Sequence, residues 1–521
     1  MSAPTSNPPA SNPWAVALIV TMAAFMEVLD TTIVNVALPH IAGSLSTSND
    51  DATWVLTTYL VANSIVLTIS GSLSRLVGRK KFFLLCIGVF TLASFGCGIS
   101  TSFPELLMFR AVQGFFGGGL QPLQQAIILD AFPPEKRSQA FSLSAVAIVV
   151  APVCGPVLGG WITDTYSWHL IFLINVPIGL LVLLGVMHFV QDSDEVKKEQ
   201  KTAPPFDYIG TLFIAVALGC LQVGTDRGED YDWLGSPFIC TMLGISLLAF
   251  IFGCLYLLYT KHPAVNLRVL ADRNFAFGFV QIGIMGLVLY SSAVIIPQFA
   301  QEQLGYTSTL AGLVLLPGAI LLLFLIPLVG RAMAIVPPKY IIATGGLVLG
   351  SALFYSMSIV PQEDFYHLAI LRGTQTAGLA FLFVPISTAA YLTLSHEQQG
   401  DAAALFSMSR NIFGGIGISI STAIIAQRSQ VHQTYLADNL VPSSAYHNLL
   451  NQIAQALQDH GTPAMAALAR APSQVYQMLQ TQEAILAYID VFWYTGLLAL
   501  VLIPTALLMS GKPAAEKEAA A

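Results

Sequence analysis

The sequence predicts an all-α membrane protein of two six-helix bundles with two further transmembrane helices inserted between them, about fourteen spans in total. Three observations predict it. Of the 521 residues, 55% are hydrophobic and only 10% charged, whereas soluble domains carry about a quarter of their residues as charges. Apolar runs long enough to cross a ~30 Å hydrocarbon core recur along the whole chain and leave no room for a large soluble domain. The chain also matches itself at an offset of 262 residues, which places Arg110 on Arg372, Gln113 on Gln375, Glu135 on Glu397 and Gly155 on Gly417. Such a weak parallel repeat is expected of two related bundles in a transporter.

Taken in order, the first bundle (14–190) comprises the runs 14–38, 54–74, 82–100, 105–129, 140–162 and 168–190. The inserted pair, 208–223 and 236–259, lies in a segment 191–272 bounded by loop-like polar stretches at 191–205 and 261–274. The second bundle (273–510) takes the runs 275–300, 310–330, 340–359, 366–394, 402–426 and 484–509. It includes one long polar segment, 427–483, where Leu449, Leu450, Ile453 and Leu457 recur at helical spacing and Gly461 is placed to stop the helix. A pair of short capping helices is expected there. Short tails, 1–13 and 511–521, complete the chain. The first tail has no cationic region and the run after it is too long for a signal peptide, so no cleavage is expected.

Sixteen of the 22 Lys and Arg fall in loops on one side, Arg227, Arg428 and Arg470 on the other, and Arg110, Arg372 and Arg410 within spans. By the positive-inside rule both termini are cytoplasmic, which requires an even number of crossings. The six cysteines lie in or beside apolar runs without paired spacing, and read as small hydrophobes. No metal, cofactor or nucleic-acid partner is expected.

Within the first run, Glu27 and Asp30 are three residues apart and share one helix face. Carboxylates near a helix end can reach interfacial water or a neighbouring Arg and serve structure alone. Asp30, however, lies about 12 Å of helix from the end of its run, too deep for a short side chain to reach water without a cavity. Two like charges in a low-dielectric setting disfavour full ionisation, so the pair is a candidate for proton coupling. Arg110, with Gln113 three residues on, is a guanidinium that needs a carboxylate, a carbonyl dipole or water. It reads equally as a structural ion pair or as the partner of a titrating acid.

In the fifth run Gly155, Gly159 and Gly160 clear one helix face for close backbone approach, while Pro152 and Pro156 bend the helix. Two prolines in phase with the glycines suggest a bend and a sliding interface between bundles. Gly71, Arg75, Gly78 and Arg79 lie in a stretch, 71–81, that reads as a tight basic turn between the second and third runs. A similar string, PLVGR, occupies 327–331 of the second bundle.

These strings resemble those of the major facilitator superfamily, and within it the fourteen-span drug:proton antiporters of the EmrB type. The resemblance covers nearly the whole chain. LDTTIVNVALP at 29–39 is similar to the family's first-span motif, APVCGPVLGG at 151–160 to its antiporter signature, and the stretch around Arg110, Gln113 and Gly114 to its fourth-span motif. FLINVPIG at 172–179 resembles a further string at the sixth span. One departure stands out: Arg75 occupies the position where the family's Gly-x-Leu-x-Asp motif carries an acid.

The resemblance implies alternating access by rocking of two bundles around a central cavity, with spans one, four, nine and twelve lining it. It implies export of lipophilic small molecules in exchange for protons, with Asp30 and Arg110 in coupling, and an antibiotic-resistance role in a bacterial inner membrane. It also implies assembly with a periplasmic adaptor and an outer-membrane channel, for which 427–483 offers a surface. Candidate cavity residues are Asn35, Tyr59, Gln113, Gln124, Tyr290, Gln298, Phe381 and Asn411. Two rivals are a dedicated exporter or importer of one metabolite, fatty acid or siderophore, and a membrane-embedded enzyme. Against the enzyme, no His-Glu-x-x-His or Gly-x-Ser-x-Gly string occurs, and the nearest cluster, His396, Glu397 and Asp401, reads as a solvated helix cap.

Overall fold

The computed structural model describes residues 12–192, 194–201, 205–395, 398–438 and 444–509. The tails (apart from Asn12 and Pro13), parts of both polar segments, and His396 and Glu397 lie outside the described residues. The first bundle comprises α1 (Pro13–Ser44), α2 (Asn49–Ala52), α3 (Trp54–Val77), α4 (Arg79–Ile99), α5 (Phe103–Gly117), α6 (Leu120–Ala131), α7 (Pro134–Thr165), α8 (His169–Leu173) and α9 (Asn175–Phe189). After α10 (Asp194–Lys201) come the inserted helices α11 (Tyr208–Asp226) and α12 (Pro237–Tyr259). The second bundle comprises α13 (Arg273–Glu302), α14 (Ser308–Leu313), α15 (Leu316–Ala332), α16 (Pro338–Tyr355), α17 (Phe365–Ala380), α18 (Phe383–Tyr391), α19 (Gln399–Ala437), α20 (Ser444–Asp459) and α21 (Ala464–Leu507).

Among the described residues, eleven helices are long and apolar enough to cross a membrane, or twelve when the bent α7 counts as one span. The other two of the fourteen expected spans are helical as well, as α5–α6 and α19, but fall short of that criterion. They carry buried polar side chains: Arg110, Gln113, Gln121, Gln124 and Gln125 on α5–α6, and Asp401 and Arg410 on α19. These two spans therefore share with α1, which carries Glu27 and Asp30, and α17, which carries Arg372, the task of bringing polar groups to the interior.

Pro152 and Pro156 lie inside α7, whose halves Lys136–Pro152 and Cys154–Thr165 are bent by 41°. Proline removes a backbone donor and crowds the preceding turn, which accounts for the bend. The glycine face of α7 does not slide between bundles as expected. A Cβ on Gly155 would collide with the Thr32 hydroxyl, and one on Gly159 would come within 2.8 Å of the Ile33 carbonyl, so this face seats α7 on α1 of its own bundle; Gly160 is buried on the same helix. Contact across the bundles uses glycines of the other partner instead. Gly312 on α14 meets the Val157 backbone, and Gly330 on α15 meets Ser142.

The expected basic turn at 71–81 is shorter than its composition suggests. The α3 helix runs through Val77, and the chain reverses at Gly78 alone, whose φ of +94° favours glycine. Gly71 therefore sits inside α3, where a Cβ would lie 3.0 Å from Asp401 Oδ1 at the start of α19.

In the polar segment 427–483 only one short helix forms. The α20 helix ends before Gly461, at φ +89°, and α21 then runs unbroken for 44 residues from Ala464 into the bundle. Beyond the break at Gly461 nothing in the sequence stops the helix, since Pro472 is accommodated within α21. Ala454, Ala467 and Ala471 are buried with Leu450, Ile453 and Leu457, so α20 folds back on α21. The extended ends of α19 and α21 are joined by Arg428 and His432 to Asp490 (2.5 and 2.9 Å) and by Gln433 to Tyr476 (3.2 Å).

Of the inserted pair, α11 packs against both α3 and α19, and α12 packs on α11. At the end of the molecule that carries the basic loops, Ser72 donates to the Ala264 carbonyl (2.5 Å), and Asp207 accepts from Ala264 N and Tyr256 Oη.

The packing of α7 on α1 is testable with two glycines. Gly155→Ala should destabilise the purified protein by about 1–3 kcal/mol, because it overfills a backbone contact. Gly373→Ala, whose Cβ would meet no atom within 4 Å, should be neutral or stabilising by about 0.5 kcal/mol. Thermal unfolding of the two variants side by side reads the difference.

Candidate functional site

The two carboxylates of α1 lead to different surroundings. Asp30 is fully buried, accepting from Arg110 Nη1 at 2.7 Å, Gln113 Nε2 at 2.9 Å and Asn175 Nδ2 at 2.7 Å. Arg110 also donates from Nε to the Val55 carbonyl (3.1 Å) and lies over the Tyr59 ring, 4.2 Å from its centroid. Ser94 on α4 ties Gln113 and Asn175 together at 3.1 and 3.0 Å. Five helices, α1, α3, α4, α5 and α9, thus converge on one compensated charge pair. Removing either charge would strand the other in a low-dielectric interior.

Glu27, one turn away, accepts from Asn63 Nδ2 (3.0 Å), Tyr59 Oη (3.4 Å) and Gln121 Nε2. The Gln121 carbonyl oxygen in turn accepts from Arg410 Nη2 of the second bundle. One amide therefore stands between an acid of one bundle and a guanidinium of the other. Of the two carboxylates, Asp30 pairs with Arg110, and Glu27 belongs with Gln121 and Arg410.

Glu27 also lines a cavity of about 320 Å³ between the bundles. Of the expected cavity residues, Asn35, Tyr290 and Asn411 line it. The other five face elsewhere. Tyr59 stands behind Glu27, Gln113 is committed to Asp30, and Gln124 donates to Thr21 and Ser144. Gln298 donates to Glu302 at 3.0 Å, and Phe381 packs on the core beside Gly345. The inserted helix and the turn after it contribute Gln222, Asp226, Glu229 and Asp230 to the wall. Its lining carries four carboxylates, Glu27, Asp226, Glu229 and Asp230, and among the described residues no Lys or Arg.

The cavity extends from mid-molecule to the end opposite the basic loops, where Asp230 is exposed. The basic end is tied shut. Arg75 pairs with Asp401 across the bundles, Arg79 pairs with Asp130, and Tyr391 donates to Gln125 at 3.0 Å. Asp401, expected as a solvated cap residue, is instead buried and ion-paired. Arg75, at the position where an acid is expected, thus finds its acid on α19.

Sequence reasoning missed Asn63, Gln121, Asn175 and Arg410 as members of these clusters, and missed the inserted helix as a cavity wall. A signal for some of them existed: Gln121, Gln124 and Gln125 form an amide-rich string inside a span, where unpaired polar groups are costly.

The second bundle repeats part of the Asp30 cluster. Arg372 donates to Ser292 Oγ (2.5 Å) and Gln375 Oε1 (3.2 Å), and Gln375 donates to Ser356 Oγ (2.8 Å). Each matches its first-bundle counterpart at the same 262-residue offset, with Ser292 where the first bundle has Asp30 and Ser356 where it has Ser94.

Two repeated bundles enclosing a mid-depth cavity, with buried charges on either side of it, define a secondary transporter. The sequence pattern of the Major Facilitator Superfamily matches residues 20–418, and the chain belongs to that superfamily. It is 33% identical over 488 residues to the multidrug export protein EmrB of Escherichia coli K12, covering 93% of each chain. It is 34% identical over 495 residues to the fatty acid resistance protein FarB of Neisseria gonorrhoeae, covering 94% of each. Among solved structures, the human organic anion transporter MFSD10 shares the fold with a TM-score of 0.54 at 14% identity, covering 95% of this chain and 100% of that one.

If the Arg75–Asp401 pair holds the basic end shut, Arg75→Asp should favour opening there by ~1 kcal/mol, roughly a fivefold shift in population. Adding Asp401→Arg should restore most of it. With the six native cysteines replaced, impermeant-maleimide labelling of Asn411→Cys from the opposite side should fall in the single variant and recover in the double.

Proposed function

We propose that this protein is a proton-coupled exporter of lipophilic, preferentially cationic compounds, working by alternating access in a bacterial cytoplasmic membrane with both termini inside the cell. The observation that carries this reading is the interbundle cavity whose described lining holds four carboxylates and no Lys or Arg, with Glu27 at mid-depth; behind the wall Asp230 pairs with Arg227, and Arg410 reaches Glu27 only through Gln121. A low-dielectric cleft lined by one sign of charge concentrates the opposite sign. Similarity to EmrB supports export of many compounds. The domain division follows the bundles, 14–190 and 273–510, with 191–272 as the insertion.

In the arrangement observed, the cavity offers external protons a path to Glu27, while Asp30 is sealed behind Arg110. A proton on Glu27 removes the charge that orients Gln121, loosening its bridge to Arg410 and with it one tie between bundles. A proton on Asp30 frees Arg110 from its only carboxylate among the described residues. Both events favour closing the outer end and opening the basic end, where the ties from Arg75 to Asp401 and from Tyr391 to Gln125 must part. Gly71 and Gly78 permit the close helix approach and sharp reversal at that end. Pro152 and Pro156, with Gly155, Gly159 and Gly160, set the bend and seating of α7. Substrate entering from the cytoplasm then competes with the proton at Glu27. The extension formed by α20 and the ends of α19 and α21 supplies a surface for a periplasmic adaptor feeding an outer-membrane channel.

A second reading, export of fatty acids, is favoured by the similarity to FarB. The acidic cavity argues against it, since carboxylates disfavour an anionic guest by like-charge repulsion.

In energised inverted vesicles, Asp30→Asn and Glu27→Gln should each lower proton-driven dye efflux at least ~10-fold, about 1.4 kcal/mol or more in coupling. Glu27→Gln should also abolish substrate-induced proton release from purified protein. Wild-type efflux in both variants would refute the coupling assignment. A substrate panel separates the two readings: Glu27-dependent transport of lipophilic cations supports the first, and transport confined to fatty acids supports the second.

A further inference from the structure

Arg372 is as deeply buried as Arg110 but has no acid. It makes no ion pair among the described residues, and its Asp30 counterpart is Ser292. Its Nη1 is used on Ser292 and Gln375, whereas Nε and Nη2 are buried without a hydrogen-bond partner. Those two nitrogens share one edge of the guanidinium and point the same way, which is the edge that grips a single acceptor with two parallel hydrogen bonds. In the first bundle the corresponding Nε is satisfied by the Val55 carbonyl and the charge by Asp30. A guanidinium keeps its charge in a protein, and an uncompensated charge at this depth is costly.

We propose that the free edge of Arg372 is a binding site for a small inorganic monoanion of the chloride class, held on the guanidinium edge whose counterpart in the first bundle faces the Val55 carbonyl. The anion supplies from solution the charge that the sequence supplies covalently in the first bundle. It is distinct from the transport cavity, whose lining does not include Arg372. By mass action, any anion that binds only the folded state stabilises it in proportion to the logarithm of its concentration.

The test uses full-length purified protein in detergent, with chloride and gluconate exchanged at constant ionic strength. Wild type should show an apparent unfolding temperature that rises with the logarithm of chloride concentration, on the order of 2 °C over the range tested, and Arg372→Gln should show none. Ser292→Asp places a carboxylate where the repeat has one; it should be as stable without chloride as wild type is with it, and insensitive to added chloride. Crystals grown in bromide should show an anomalous peak within hydrogen-bonding distance of Arg372 Nε and Nη2. A wild-type protein indifferent to chloride, a Ser292→Asp variant with an undiminished chloride response, or an ordered Arg372 without a bromide peak would each overturn the proposal.

Discussion

Everything in this molecule is arranged around one constraint: a charge held away from water must be met by an opposite charge or by hydrogen bonds. Asp30 and Arg110 meet that constraint together, and the requirement reaches into five helices through Gln113, Asn175, Ser94 and the Val55 carbonyl. The first bundle is therefore organised by a polar centre as much as by apolar packing. Glu27 is placed under the same constraint but is met by neutral donors, two amides and a phenol, with the Arg410 guanidinium one amide away. The two carboxylates of α1 therefore differ in their partners rather than in depth: one is paired directly with a guanidinium and the other is not.

Where the bundles meet, the molecule uses contacts that can be broken without unfolding anything. Arg75 to Asp401, Arg410 through Gln121, and the glycine approaches of α14 and α15 to α7 are local and few. Within each bundle, the Gly155 and Gly159 seat packs α7 onto Thr32 and Ile33 of α1, and the α20 fold-back buries an alanine seam. Rigid units joined by separable ties are what a rocking motion needs.

The architecture was legible because hydrophobic length and charge placement are bulk properties that many residues report at once. The residues that the sequence could assign singly were those whose burial is anomalous, such as Asp30, Glu27 and Arg110. Their neutral partners were not legible. Asn63, Gln121 and Asn175 are ordinary in composition, and only the approach of α3, α6 and α9 gives them a task. The cavity candidates Gln113 and Gln124 misled for the same reason, since helical phase names a face but not which neighbour covers it. Span boundaries in the polar segment failed where helix propensity continued past the apolar run, so that α21 extends well beyond its membrane portion.

The inserted helices change the symmetry of the whole. With α11 against both α3 and α19 and α12 outside it, one of the two lateral seams between the bundles is walled off by protein. The opposite seam is closed by α7 against α14, α15 and α18, where Gly312 and Gly330 let helices of the two bundles approach closely. The molecule thus has a back, covered by the inserted pair, and a front, where helices of the two bundles meet directly.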